Sequence, residues 1–137
     1  MSWRWITKVA LLILHDESLA QHGGGTGLRD AGLLDSALAR PINLLAHANP
    51  PDLPDVAALA ASYCVGLAKN HPFVDGNKRA AFLATGLFLH LNGFRLMASQ
   101  ADATMTVLGI ASGDLSEEYF AKWLRQNIAP RNAIHTK

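Results

Sequence analysis

Residues 56–93 read VAALAASYCVGLAKNHPFVDGNKRAAFLATGLFLHLNG, two apolar runs joined by the polar segment His71 to Arg79. In the first run Ala57, Ala60, Ala61, Cys64 and Leu67 recur at helical spacing. Asp52 or Asp55 can cap this helix, which is expected to reach about Lys69. Pro72 forbids its simple continuation, because proline lacks the N–H and restricts the residue before it. A fresh helix is expected near Asn77, running through Ala80 to Leu91 and ending at Asn92-Gly93, a left-handed stop. Two buried helices with a chemically dense loop between them form the centre of the chain.

Outward from that centre the pattern stays helical. Thr7 is a good cap for a first helix, and Ile6 can pack on Leu11 as a hydrophobic staple. Val9, Leu12, Ile13, Leu19 and Ala20 repeat at helical spacing until Gly23-Gly24-Gly25-Thr26-Gly27 stops the run. A short helix is expected from about Leu33 to Arg40, followed by a Pro-rich connection from Pro41 to Pro54. Asp102 to Ile110 makes another helix, ended at Ser112-Gly113. Ser116 caps the last one, with Glu117 and Glu118 in the first turn, where negative charge suits the helix dipole. Its apolar face is Phe120, Trp123, Leu124 and Ile128. No strand pattern, internal repeat or low-complexity tract is visible. The expected fold is all-α: a helical bundle forming one domain over residues 1–137, with a core of about 6–129 and a frayed tail from 130 to 137.

Composition narrows the function. Half of the 137 residues are hydrophobic and 17% are charged, enough for a packed core and unlike a disordered chain. A net charge of +1 gives no basic footprint for nucleic acid. The one cysteine, Cys64, excludes an internal disulfide and suits a reducing cytoplasm. The apolar runs Val9–Leu14 and Ala80–Leu91 are too short to span a membrane, and the first lacks the small-residue cleavage site of a signal peptide. The expectation is a cytoplasmic protein with neither nucleic acid nor membrane as direct partner.

The segment His71-Pro72-Phe73-Val74-Asp75-Gly76-Asn77-Lys78-Arg79 places a base, a carboxylate, a glycine, an amide and two cations within one short loop. A connection between buried helices needs only a polar turn, so this concentration asks for a chemical reason. Gly76 and Asn77 stand where the second helix begins, so free N–H groups and the positive end of the dipole face outward, as an anion requires. Lys78 and Arg79 add full charges. Asp75 can hold Mg²⁺, which favours one or two carboxylates plus phosphate oxygens. His71 can take the proton of an attacking hydroxyl near neutral pH. Lys69, two residues before the loop, is a further cation within reach.

These residues carry a family likeness. His71 to Arg79 resembles the signature of the Fic and Doc proteins. Leu14-His15-Asp16, Gly23-Gly24, Gly27-Leu28-Arg29-Asp30 and Asn92-Gly93-Phe94 look like the Doc (death-on-curing) branch. The AMP-transferring Fic pattern is His-Pro-Phe-x-Asp/Glu-Gly-Asn-Gly-Arg-x-x-Arg. Here Lys78 replaces its second loop glycine and Phe82 its second arginine, both in the manner of Doc. Pro72 and Gly76 follow the AMP-transferring pattern instead. The resemblance implies a toxin that moves the terminal phosphate of ATP to a Ser or Thr hydroxyl of a host protein, with a translation factor such as elongation factor Tu as target. It implies His71 as general base, Asp75 as the magnesium carboxylate, Gly76 and Asn77 as phosphate-binding backbone and amide, and Lys78 and Arg79 as charge balance. AMP transfer and an inactive Fic-fold binding module are the alternatives.

Control is implied as well. Many Fic proteins carry an inhibitory helix, Ser/Thr-x-x-x-Glu-Gly/Asn, whose glutamate pairs with the second motif arginine. The three glutamates here, Glu17, Glu117 and Glu118, are not followed by Gly or Asn, and Phe82 stands in place of that arginine. The resemblance to Doc therefore implies a separate antitoxin whose disordered tail folds onto the toxin.

Other features read as structure. The glycine run follows a helix and lacks a Lys-Ser/Thr, so it is no P-loop; it stops a helix and begins a loop, and its functional reading is that it borders the site. His15-Asp16 is a structural pair, Phe73 and Cys64 are core, and Trp3 and Trp5 cover the apolar face of the first helix. Arg131 to His135 faintly resembles the Arg and His pair of small ribonucleases, but with too tight a spacing.

Overall fold

The computed structural model describes residues 2–132. It contains α1 (Lys8–His22), α2 (Ala31–Ala46), α3 (Val56–Asn70), α4 (Asn77–Leu91), β1 (Phe94–Leu96), α5 (Gln100–Ser112), α6 (Glu117–Asn127) and β2 (Ile128–Pro130). Thr7, Asp30, Asp55, Ser99 and Ser116 each accept an N–H of the helix they precede, so α1, α2, α3, α5 and α6 all begin with a side-chain cap.

α3 is the axis of the molecule. It packs against α2, α4, α5 and α6, and every residue from Val56 to Ala68 except Ala58 is buried. Its small side chains allow that crowding. A Cβ on Gly66 would stand 3.3 Å from Ala37 Cα and 3.2 Å from Arg40 Cδ, so α2 crosses α3 at a distance only glycine permits without adjustment. Arg40 then reaches past Gly66 to Ser62 Oγ at 3.0 Å and grips both carboxylate oxygens of Glu117, locking α2 and α6 on α3. Arg125 makes a second fork onto Asp55, the cap of α3, and holds that carboxyl below its ordinary range.

The expected all-α single domain is what the chain forms, and two finer expectations need correction. The segment from Pro41 does not open a connection: α2 runs through Pro41 to Ala46. Proline inside a helix costs about 3 kcal/mol or more. Burial of Leu34, Ala37 and Pro41 itself against α3 offsets it, a tertiary gain that local rules do not contain. Strands also exist. β1 and β2 pair antiparallel, Phe94 opposite Pro130 and Leu96 opposite Ile128, in runs of three residues, too short to make a readable pattern. The same ribbon means that order does not end at residue 130: Arg131 N–H donates to Gly93 O at 2.9 Å. Residues 133–137, with the rest of the expected frayed tail and His135, lie outside the described residues. Trp3 and Trp5 pack against the core and lie on Phe88 of α4, with ring centroids 6.0 and 5.8 Å away. Ile6 and Leu11 both enter the core, as the staple requires.

Among the described residues no helix is long and apolar enough to cross a membrane. Cys64 is buried, and burial pushes its thiol up to about 12, which makes it a core residue and a poor nucleophile.

The fully buried Tyr63 anchors the N-terminal segment, its hydroxyl accepting the N–H of Ile6 at 3.1 Å. Replacing Tyr63 by Phe leaves that buried N–H without a partner. The expected loss is about 1–3 kcal/mol in urea unfolding, at an unchanged slope with denaturant.

Candidate active site

The loop from His71 to Gly76 stays rigid because its backbone is hydrogen-bonded from three directions. From the turn before α2, Arg29 N–H and Asp30 N–H both donate to Pro72 O, at 2.7 and 3.0 Å, and Val74 N–H donates to Gly27 O at 3.1 Å. Leu28 and Phe73 form an antiparallel bridge at the same place. The Arg29 guanidinium adds Nη2–H to Asn70 O at 2.8 Å and Nε–H to His71 O at 2.7 Å. From within the loop, the Asn77 side chain closes on Phe73, accepting its N–H at 2.9 Å and donating to its carbonyl at 3.0 Å. From below, the buried His15 stacks on Phe73, with centroids 3.7 Å apart, and its Nε2 meets Asp75 O at 2.8 Å. A carbonyl only accepts, so that nitrogen carries the ring proton.

α4 starts differently from the other helices. Its cap is Gly76, in the left-handed region at φ 75°, and no side chain accepts its first-turn N–H groups. Gly76 N–H is engaged by Asp75 Oδ1 at 2.8 Å, and Ala80 N–H closes on Gly76 O. Among the described residues the N–H groups of Asn77, Lys78 and Arg79 have no acceptor, which leaves a positive helix end open to an anion. Two hollows adjoin it. His71 and Lys78 line one of about 510 Å³ against Met105, Leu108, Gly109, Ala111, Ser112 and Asp114. Lys78 and Arg79 line another of about 150 Å³ with Phe82, Thr104, Val107 and Leu108. α5 is therefore the wall opposite the loop, which no local motif announced. No ion pair among the described residues neutralises Lys78 or Arg79.

The expected site residues are thus only partly assembled. His71, Lys78 and Arg79 lie along adjoining hollows, at the open end of α4 that Gly76 begins. The Asn77 amide closes on the Phe73 peptide with its oxygen and one of its two Nδ2 hydrogens, which leaves the second N–H as a donor. Lys69 Nζ lies 3.8 Å from where a Cβ of Gly113 would be, at the negative end of α5 and next to Ser112 and Asp114, which line the larger hollow. Asp75 faces the glycine run, where Oδ2 accepts Gly25 N–H at 3.3 Å and a Cβ on Gly24 would come within 2.8 Å of the same oxygen. The glycine run therefore borders the loop, and His15 has the structural place expected of it. Arg29 was legible only as part of the turn Gly27-Leu28-Arg29-Asp30; nothing local shows that its side chain reaches the helix end 42 residues on.

The Fic/DOC family model matches residues 5–89, from just before α1 to almost the end of α4. The chain is 35% identical over 123 residues to "Protein kinase doc" of Escherichia phage P1, spanning 90% of this chain and 94% of that protein. It is 45% identical over 76 residues to "Toxin Doc" of Mycolicibacterium smegmatis, 56% of this chain and 57% of that one. The chain belongs to the Fic/DOC family. The match contains the whole loop and every element that braces it, whereas the α5 wall lies beyond the family model.

For a Fic/DOC site, the donors suit a magnesium ion shared with a nucleotide. Asp75 is exposed, and each of its oxygens accepts one N–H, which leaves lone pairs free. Among the described residues no group of three His, Cys, Asp or Glu could hold a metal unaided, so the remaining ligands would be phosphate oxygens and water.

Asn77→Ala removes both bonds to the Phe73 peptide. Protection of the Phe73 amide from hydrogen exchange should fall by about tenfold or more, the equivalent of one lost buried partner. Amides of α3 away from the loop should keep their protection.

Proposed function

We propose that this protein is the cytoplasmic toxin of a toxin–antitoxin pair, transferring the terminal phosphate of ATP to a Ser or Thr hydroxyl of a host protein. Elongation factor Tu is the expected target class. The observation that carries the reading is the uncapped end of α4, with Lys78 and Arg79, beside the exposed His71. The names of the two relatives, a protein kinase and a toxin, agree with it.

In this reading the N–H groups of Asn77, Lys78 and Arg79 bind phosphate oxygens, and the two side-chain cations balance their charge. His71 takes the proton of the acceptor hydroxyl as its oxygen bonds to the terminal phosphorus. The bond from that phosphorus to the bridging oxygen breaks, and ADP leaves. Asp75 would hold magnesium together with phosphate oxygens, and the ion would supply charge neutralisation on the transferring group. Catalysis of this type is positioning and electrostatics, in which one well-placed arginine can be worth about 10³- to 10⁵-fold.

Lys78 and Phe82 favour phosphate over AMP transfer. The lysine stem occupies the approach that a second loop glycine would leave bare, and Phe82 gives the small cavity an apolar side where a second arginine would clamp phosphate. Pro72 and Gly76 favour AMP transfer. With magnesium and a cell lysate, γ-labelled ATP should label a host protein and α-labelled ATP should not. Transfer of the α-label would establish the second reading, and transfer of neither label would leave a binding module.

His71→Ala should lower transfer by about 10²-fold or more if the imidazole is the base. Because residue 71 is left-handed, His71→Asn is the control, since Asn tolerates that conformation and carries no base. Full transfer by either folded variant would remove His71 from the mechanism.

The antitoxin is expected to present a disordered tail that folds as an amphipathic helix. Met105 and Leu108, 67% and 40% exposed, give the hollow beside His71 an apolar rim suited to such a helix. Expression of this protein alone should arrest growth, and coexpression of the neighbouring small open reading frame should relieve it. Harmless expression alone, at levels confirmed by blot, would count against a toxin.

A further inference from the structure

His71 is the one residue other than glycine with a positive φ among the described residues, at φ 52° and ψ 55°. A left-handed conformation costs an L-residue about 1–2 kcal/mol, and only surroundings that over-determine it keep it populated. Ordinarily a helix that ends this way holds itself. The next N–H folds back onto a carbonyl of the last turn, as in the Schellman motif. Here the next residue is Pro72, which has no N–H to give. That return bond is therefore missing, and the residue whose backbone needs the most support is the one expected to act as base.

We infer that Arg29 is the positioning residue for His71, a guanidinium from a remote turn that fixes the helix end which no N–H of Pro72 can close. Its two donors fall on the carbonyls at either side of the His71 Cα, Nη2–H on Asn70 O at 2.8 Å and Nε–H on His71 O at 2.7 Å. Its own N–H takes the next carbonyl, Pro72 O, at 2.7 Å. Three successive carbonyls are thus fixed by one residue, and a planar fork does this where a single ammonium cannot. The positive charge also lies at the negative end of the α3 dipole. With both peptides around it fixed, the His71 backbone holds its left-handed turn and delivers the imidazole to the hollow it shares with Lys78. Arg29 lines neither hollow, so its effect is on geometry and not on nucleotide contact.

The inference rests on the proposed role of His71 and is tested with two variants. Arg29→Met keeps the stem and removes the fork; Arg29→Lys keeps the charge without the fork, and serves alone if the first variant does not fold. Misplacing a catalytic group by about an ångström can cost about 10²-fold. Arg29→Met should lower kcat by about 10- to 100-fold with KM for ATP within about twofold, and Arg29→Lys should lie between it and the wild type. An unchanged kcat, whatever happens to thermal stability, overturns the inference and leaves Arg29 a plain helix cap. A rise in KM matching the loss in kcat/KM also overturns it, since Arg29 would then be binding the nucleotide. A readout without turnover separates this from failure of the proposed function. The backbone and imidazole NMR resonances of His71 should shift or broaden in Arg29→Met while those of α3 near Tyr63 stay in place. If the wild type transfers nothing, the proposed function fails, and the inference stands or falls on those resonances.

Discussion

The backbone of the His71–Asp75 loop must be satisfied without covering the helix end it introduces, and much of the molecule answers that requirement. Carbonyls at Asn70, His71, Pro72, Phe73 and Asp75 each receive a donor. The donors come from Arg29 and Asp30, from Asn77 and from His15. The turn before α2, the start of α4 and the buried face of α1 are thereby tied to one short segment. Pro72 and Phe73 are buried, and leaving their peptide groups unpaired would cost about 1–3 kcal/mol each.

The same arrangement explains why α4 is left open. Five helices begin with an oxygen side chain that covers a first-turn N–H. α4 begins with Gly76, which brings no oxygen of its own, and the nearest carboxylate, Asp75, turns back onto Gly76 N–H and Gly25 N–H. The first-turn donors of α4, the dipole and the charges of Lys78 and Arg79 then add at one place. For an isolated helix this is a deficit of stability; here it leaves a preorganised positive end that suits an anion.

α3 gives the loop its foundation. Small residues let four helices pack around it, and Arg40 and Arg125 clamp α2 and α6 to its flank and cap. Because α3 is buried nearly throughout, its C-terminal end cannot drift, and the loop inherits that precision. α5 closes the opposite side with an apolar surface.

Helix number, the caps Thr7 and Ser116, the stop at Asn92-Gly93 and the loop His71–Arg79 were determined by the sequence alone, because caps, glycine stops and 3.6-residue periodicity are local signals; the choice of Asp55 over Asp52 as the cap of α3 was not. Family membership was legible too, since nine ordered positions carry it. Other features lay beyond local rules. Pro41 reads as a helix end until its burial against α3 is known, and the ribbon of β1 and β2 is too short to leave a pattern. That the Asn77 amide also braces the Phe73 peptide, and that Lys69 stands beside Gly113 at the end of α5, depend on contacts which the local sequence does not contain. Arg29 and the α5 wall depend on long-range contacts, and a side chain's partner across 42 residues is set by how helices pack, not by its neighbours in the chain.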